Sequence, residues 1–192
     1  SSFLEMFGRS SRDTGLEFTQ SLVGQNVDRV FVPSVEKGVN AACAEGILAG
    51  YRIVDVKVDF YDGKMHPVDS GDVAFQIAGK EAFREAFLAA KPCLLEPVNK
   101  LKILVPEEAL GKVIGDLSSR RGKVLGMEAD GAFQVVTAEV PVRELHHYAT
   151  VLRSLTGGRA VHSEEFSHYE EMPRELEAKV IAEAKAARER RD

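Results

Sequence analysis

Cationic side chains cluster in the segment SSRRGK, which contains Arg120, Arg121 and Lys123. The segment is predicted to lie where a helix passes into a strand, and a loop there can present positive charges to phosphate groups at low cost. Arg153 and Arg159 stand on either side of the end of the next predicted helix, where the same chemistry is possible. A run of charges is also typical of a solvated surface, so the pattern alone leaves both interpretations open.

A histidine, His66, lies in a loop marked by glycine and proline within the stretch VDVKVDFYDGKMHPVDSGD. An imidazole offers hydrogen-bonding capacity and a flat stacking face. The histidines of the chain show neither H-x-x-x-H spacing nor neighbouring cysteines, so no metal site is predicted. They are His66, His146, His147, His162 and His168.

The motifs of common catalytic and phosphate-binding sites are missing. The sequence contains no G-x-x-x-x-G-K-[ST], which excludes GTP or ATP binding by a phosphate loop. It also contains no G-x-S-x-G, and no Ser/His/Asp set stands out. Gly157 and Gly158 could form an anion site, but the left-handed residue that ends a helix is the favoured interpretation. We therefore predict no catalytic residue, metal site or cofactor in this chain.

Composition narrows the class of protein. The 192 residues are 44% hydrophobic and 29% charged, which is typical of a globular protein with one large or two small cores. The formal net charge of -5 argues against broad nucleic-acid affinity, so any RNA contact must depend on local basic clusters. Cys43 and Cys93 lie far apart in apolar company, as reduced buried thiols of a cytosolic protein do. No apolar run approaches the roughly 18 residues of a membrane span.

Hydrophobic periodicity predicts a first domain. Residues 16–23 form a strand, and Pro33 opens a helix that ends near Gly46 to Gly50. Alternation from Ile53 to Phe60 predicts a half-buried strand, and a further helix follows over residues 71–90. Asp69 or Ser70 is expected to cap that helix. The inward residues are predicted to be Val54, Val56, Val58 and Phe60 in the strand, and Val73, Ile77, Phe83 and Phe87 in the helix.

Lys91-Pro92 and Glu96-Pro97 predict a domain boundary. The alternation of apolar residues then starts again in a strand with Leu101, Ile103 and Val105. The order βαββαβ is that of the split-βαβ, ferredoxin-like sandwich. The last twenty residues predict a terminal helix. The elements are expected at 106–119 (helix), 122–129 and 132–140 (strands joined at Asp130-Gly131), 141–155 (helix) and 160–169 (strand).

Several long segments resemble translation elongation factor G. They are LLEPVNKLKILVPEEALGKVIGDLSSRRGKVLGMEADG, HHYATVLRSLTGGRA and HYEEMP from its C-terminal part, and VPSVEKGV with VDVKVDFYDGKMHPVDSGDVAFQIAGKEAFREA from its domain IV. The resemblance covers about residues 16–173. It implies an α+β protein of two domains with an incomplete ribosomal-protein-S5-domain-2-like βαβα domain at residues 1–94. A ferredoxin-like domain V would follow at 95–170, with a helical tail at 171–192.

The resemblance also implies partners and sites. Asp62, Gly63, Lys64 and His66 would form the domain IV tip, which meets transfer RNA and messenger RNA in the aminoacyl site. The ribosome would be contacted through the RNA of both subunits, in a cytoplasmic, monomeric protein with no membrane partner. GTP and Mg²⁺ would belong to a G domain that this sequence does not contain. Ribosomal RNA contacts are expected from Arg120, Arg121, Lys123, Arg153 and Arg159.

Departures from the family pattern keep alternatives open. Pro67 stands where an acidic residue is usual, Asn99 replaces a methionine, and His146-His147 replace a Phe-Gly pair. The first strand and glycine-rich tip loop of domain IV are expected to be absent or replaced by SSFLEMFGRSSRDTG. The chain would then be a fragment of the factor or of a paralogue acting in ribosome recycling, rescue or protection. A stand-alone ferredoxin-like binding module is the alternative of another class.

Overall fold

The structure is a computed structural model that describes residues 4–7, 15–65 and 71–190. It forms two compact units, of which unit 1 comprises residues 1–92 with 174–192 and unit 2 comprises residues 93–173. Both units mix helices and strands, which confirms the predicted α+β class. None of the helices in the described ranges combines the length and apolar character needed to cross a membrane.

Unit 1 is built on a three-stranded sheet. Its strands are β1 (Leu4–Phe7), β2 (Leu16–Gln20) and β3 (Val56–Phe60), in the order β1-β3-β2. β2 runs parallel to β3, and parallel neighbours need a crossover, which helix α1 (Val32–Glu45) supplies. β1 pairs antiparallel with β3 and lies in the segment where we expected the first strand to be absent or replaced. The segment thus contains a strand, and the expectation that it replaces the first strand and the glycine-rich tip loop of domain IV stays a prediction.

The two helices of unit 1 begin and end for local reasons. α1 carries Pro33 in its first turn and ends at Gly46, whose φ of 71° is favourable only for glycine, so both predicted boundaries are confirmed. The next helix, α2 (Asp72–Ala89), follows Gly71 without a side-chain cap. Asp69 and Ser70, the predicted caps, lie outside the described residues.

The alternation of β3 is shorter than predicted. Val56, Val58 and Phe60 are buried as expected, but the residue before them, Asp55, has a left-handed φ of 58°. This turn in the backbone reverses the alternation, so Ile53 is buried and Val54 is exposed. The prediction that Val54 faces the core is therefore wrong.

The buried stripe of α2 is shifted by two residues in its first half. Phe83 and Phe87 are buried as predicted, whereas Val73 and Ile77 are 68% and 60% exposed. Phe75 and Gly79 occupy the inner face instead. The ring of Phe75 stacks on Phe31 with a centroid distance of 4.4 Å, which fixes this helix rotation.

Glycine permits α1 and α2 to pack backbone against backbone. A Cβ atom on Gly38 would lie 2.1 Å from the carbonyl oxygen of Gln76 on α2. A Cβ atom on Gly79 would lie 2.8 Å from the carbonyl oxygen of Val35 on α1. Both distances are too short for any side chain, so this helix contact requires glycine at both positions.

The two cysteines differ in environment, and both are free thiols. Cys43 is buried on α1, as predicted, but Cys93 is exposed, which corrects the prediction of two buried thiols. Burial raises the pKa of Cys43 to about 11, although the positive charge of Arg52 opposes the shift. The folded chain thus favours the protonated form of this thiol.

We expect iodoacetamide to alkylate Cys93 well before Cys43 at about pH 8, because the thiolate is the nucleophile and burial limits access. Because the folded pKa of Cys43 exceeds the ordinary value of 9.0, its contribution to stability should be lost as pH rises from 9.0 towards about 11. Mass spectrometry of tryptic peptides measures the extent of alkylation at Cys43 and at Cys93 over a pH series. Equal alkylation rates would contradict the buried assignment.

Unit 2 is a four-stranded antiparallel sheet covered by two helices. The strand order is β5-β6-β4-β7, in which every neighbouring pair is antiparallel, so the ferredoxin-like prediction is confirmed. Leu101, Ile103 and Val105 are fully buried, as their alternation predicted. The elements of unit 2 are β4 (Leu95–Pro106), α3 (Leu110–Ser119), β5 (Lys123–Asp130), β6 (Phe133–Pro141), α4 (Tyr148–Thr156) and β7 (Val161–Glu171). The last helix of the chain, α5 (Arg174–Glu189), belongs to unit 1.

The helix predicted at residues 141–155 is split in two. A short 3-10 turn at Val142–Leu145 ends at His146, and His147 then adopts a left-handed φ of 56°. A left-handed residue cannot continue a helix, so α4 starts only at Tyr148. Its end is as predicted, because Gly157 is left-handed and the amide of Gly158 donates to the carbonyl of Arg153 at 2.9 Å.

Candidate functional site

The predicted tip lies at one edge of the unit 1 sheet. The carboxyl ends of parallel strands meet at the same edge, so the loops that follow β2 and β3 are neighbours. Asp62 joins them, because its Oδ1 accepts hydrogen bonds from the Gly63 amide at 2.8 Å and from Nδ2 of Asn26 at 3.4 Å. The structure therefore brings Asp62, Gly63 and Lys64 together with a second loop that the sequence did not single out.

Gly63 seats this loop on the core. A Cβ atom at this position would lie 2.7 Å from Cγ2 of Val27, which is only 4% exposed. Lys64 and Met65 follow on the exposed side. Gly63 therefore has a packing role, and Lys64 is the side chain of the described loop that can meet an anion. His66 lies outside the described residues.

Arg120 is engaged in intramolecular contacts. Its Nε donates to Asp116 Oδ2 at 2.8 Å, and its Nη1 donates to the carbonyl oxygens of Glu144 and His146 at 2.5 and 3.4 Å. Its guanidinium also lies 5.1 Å from the ring centroid of Tyr148. The side chain is 14% exposed, so it ties α3 to the turn before α4.

Arg121 binds two carboxylates. Its guanidinium donates to both oxygens of Glu96 at 2.7 and 2.9 Å, and its Nε donates to Glu144 Oε1 at 3.1 Å. The side chain of Glu96 is 5% exposed, so this pair is buried on one side. These bonds, with Glu96 first, raise the pKa of Arg121 above its ordinary range. The backbone of Arg121 has a left-handed φ of 58° at the end of α3.

The three remaining predicted cations are exposed. Arg159 pairs with Glu108 at 2.5 Å on the surface, and this contact lowers the pKa of Glu108. No described residue forms an ion pair with Lys123 or Arg153. Lys123 starts the edge strand β5, whereas α4, which carries Arg153, lies towards the opposite edge strand β7. The five cations thus do not form one continuous patch.

The fit of this chain to GTP and Mg²⁺ can be tested on its donor groups. No phosphate loop is present in the sequence. Among the described residues, no group of three His, Cys, Asp or Glu side chains could hold a metal ion. The described residues therefore do not fit either group.

Comparison with known proteins identifies both units. The family described as "Elongation factor G, domain IV" matches residues 3–91, and "Elongation factor G C-terminus" matches residues 93–180. Elongation factor G of Aquifex pyrophilus is 49% identical over 177 residues, which are 92% of this chain and 25% of that protein. A crystal structure of a Thermus thermophilus protein superposes with a TM-score of 0.79 at 39% identity, over 95% of this chain and 27% of that one.

The chain thus spans about a quarter of the length of this relative. The two family matches follow one another in the order of units 1 and 2 and leave few residues unmatched. They confirm the resemblance to the C-terminal part of the factor, to which the G domain does not belong. The chain belongs to the elongation factor G family, of which it carries domain IV and the C-terminal domain.

Proposed function

We propose that this chain is the ribosome-contacting part of an elongation factor G-like translational GTPase and that it promotes movement of transfer RNA and messenger RNA. The observation that carries the proposal is the match of both units, in order, to domain IV and the C-terminus of that factor. That both units match one family also favours the factor over a stand-alone ferredoxin-like module. The protein would act in the cytoplasm as a monomer.

The proposed mechanism is mechanical and electrostatic. Contacts that favour the state after translocation shift an equilibrium that the ribosome already has. Within the tip, Gly63 and Asp62 set the shape of the loop. Lys64 and His66 would contact RNA in the decoding site.

The large-subunit contact is assigned to fewer cations than the sequence suggested. Arg120 and Arg121 already donate hydrogen bonds to acceptors within unit 2. Lys123 and Arg153 keep their charges exposed, and Arg159 shares its charge with Glu108. We therefore propose Lys123 and Arg153 as the main phosphate contacts of unit 2, with Arg159 as a weaker one.

Neutralising these cations tests the assignment. The double variant Lys123→Ala/Arg153→Ala should sediment less with ribosomes, and the slope of log affinity against log salt should fall by about 1 for each lost phosphate contact. Lys57→Ala is the matched control, because Lys57 is an exposed cation paired with Glu17 on unit 1. Unchanged co-sedimentation over the salt series would show that Lys123 and Arg153 are only solvated.

A paralogue that acts in ribosome recycling, rescue or protection is the second candidate. The departure at Pro67 favours it, because proline stands where an acidic residue is usual beside the tip histidine and so removes a negative charge there. A translocation assay of the intact protein beside a ribosome-splitting assay separates the two functions. Translocation without splitting supports the translocase, and the reverse supports the paralogue.

A further inference from the structure

We infer that Glu108 limits the affinity of unit 2 for ribosomal RNA, because its carboxylate competes with phosphate for the guanidinium of Arg159. This inference rests on the proposed function, since it takes Arg159 to be a phosphate contact. Arg159 Nη1 donates to Glu108 Oε1 at 2.5 Å, although the two residues are 51 positions apart in the sequence. The fold of unit 2 therefore places an anion on a cation that RNA would use.

The hydrogen bonds of Arg159 leave one terminal nitrogen for an external anion. Its Nε donates to the carbonyl oxygen of Thr156 at 3.3 Å, and its Nη1 is held by Glu108. No described residue accepts a hydrogen bond from its Nη2. A guanidinium binds phosphate most strongly through two parallel N–H···O bonds, which need two nitrogens on one edge. The contact with Glu108 therefore limits Arg159 to a single-nitrogen contact with phosphate.

Glu108 is held weakly enough for phosphate to replace it. The side chains of Arg159 and Glu108 are 56% and 64% exposed, and exposed ion pairs contribute little to stability. The hydrogen bond from Arg159 lowers the pKa of Glu108, so this carboxylate is negatively charged at neutral pH. A phosphate group that binds Arg159 through two nitrogens must therefore displace an anion first, which weakens the contact and makes its release easier.

The turn that carries Glu108 also contains an acid that does not reach Arg159. Glu107 and Glu108 both lie in the 3-10 turn Glu107–Ala109 that leads into α3, and both are exposed. No described residue forms an ion pair with Glu107. Both carboxylates repel an approaching phosphate, but only Glu108 occupies a nitrogen of Arg159. A comparison of the two acids therefore separates competition from general repulsion.

Co-sedimentation of the full chain with ribosomes over a salt series tests the inference. Glu108→Ala removes the competing carboxylate. Glu107→Ala is the matched control, because it removes the same charge from the same turn. Arg159→Ala and the double variant Glu108→Ala/Arg159→Ala complete a double-mutant cycle. Far-UV circular dichroism checks that each variant is folded.

We expect Glu108→Ala to bind ribosomes about two- to fivefold more tightly than the parent chain, which is the range that an exposed ion pair allows. The slope of log affinity against log salt should steepen by up to about 1, because Arg159 can then neutralise a phosphate fully. Glu107→Ala should give a clearly smaller gain, and Arg159→Ala should abolish the gain from Glu108→Ala.

Equal gains for the two glutamate variants would mean general repulsion and would overturn the inference, as would a gain that survives Arg159→Ala. Unchanged binding of Glu108→Ala, together with weaker binding of Lys123→Ala/Arg153→Ala, would overturn the inference and leave the proposed function intact. A parent chain that does not bind ribosomes would overturn both.

Discussion

Gly38→Ala is expected to lower the free energy of unfolding of unit 1 by about 3 kcal/mol, because overpacking against a fixed backbone is costly. The new methyl carbon would lie 2.1 Å from the carbonyl oxygen of Gln76 and 2.9 Å from its carbonyl carbon. The overlap between the new methyl group and Gln76 can be relieved only if α1 and α2 move apart. Separation would open the contact that Gly79 makes with Val35 and loosen the buried cluster beneath.

Gly115→Ala is the matched control for this variant. Gly115 also lies inside a helix, α3, but nothing is within 4 Å of its Cβ position. Alanine there should raise stability by about 0.5–1 kcal/mol, because it restricts the unfolded chain and favours the helix. The chain has no tryptophan, so hydrogen exchange in urea, resolved by peptide for each unit, is the suitable measurement. A similar effect of both alanines would contradict the proposed helix contact.

Arg121→Ala should lower the free energy of unfolding of unit 2 by about 2–4 kcal/mol, because it leaves the carboxylate of Glu96 buried without its partner. The lower part of this range applies if water reaches the site, since the side chain of Arg121 is 33% exposed. Lys123→Ala is the matched control, because Lys123 lies only two residues further along the chain and its removed positive charge comes from an exposed side chain. Its effect should stay within about 0.5 kcal/mol.

A second substitution separates the ion pair from other effects of Arg121. In Glu96→Gln/Arg121→Ala no charge is left buried, so part of the lost stability should return. The same exchange measurement, read on peptides of unit 2 in the parent chain, Arg121→Ala, Glu96→Gln and the double variant, gives all four values of the cycle. Equal losses for Arg121→Ala and Lys123→Ala would mean that Arg121 is surface charge, as its sequence context first allowed.

Local sequence patterns predicted most helices and strands of the fold, because the ends and buried faces of these elements depend mainly on nearby residues. Pro33 and Gly157 marked helix ends that the structure confirms, and the alternation at residues 101–105 indicated a buried strand. The failures came from contacts across the chain. Val73 and Ile77 fit a helical stripe as well as Phe75 does, and only the packing of Phe75 on Phe31 decides between the two faces.

The role of the arginines could not be predicted for the same reason. Glu96 is 25 residues from Arg121 in the sequence. Arg120 and Arg121 also contact Glu144, across a similar separation in the sequence. No spacing rule connects such residues, because the sheet brings them together. The loop that follows β2 was missed although a signal existed: two strands joined through a helix run parallel, so their carboxyl ends share an edge.

The contacts of Arg121 also bear on how quickly unit 2 opens. They join the start of β4, the end of α3 and the turn before α4, and this geometry exists only once the central strands have paired. Interactions that form after the folding barrier slow unfolding and leave the refolding rate almost unchanged. Arg121 should therefore slow the unfolding of unit 2 and so lengthen the lifetime of its folded state.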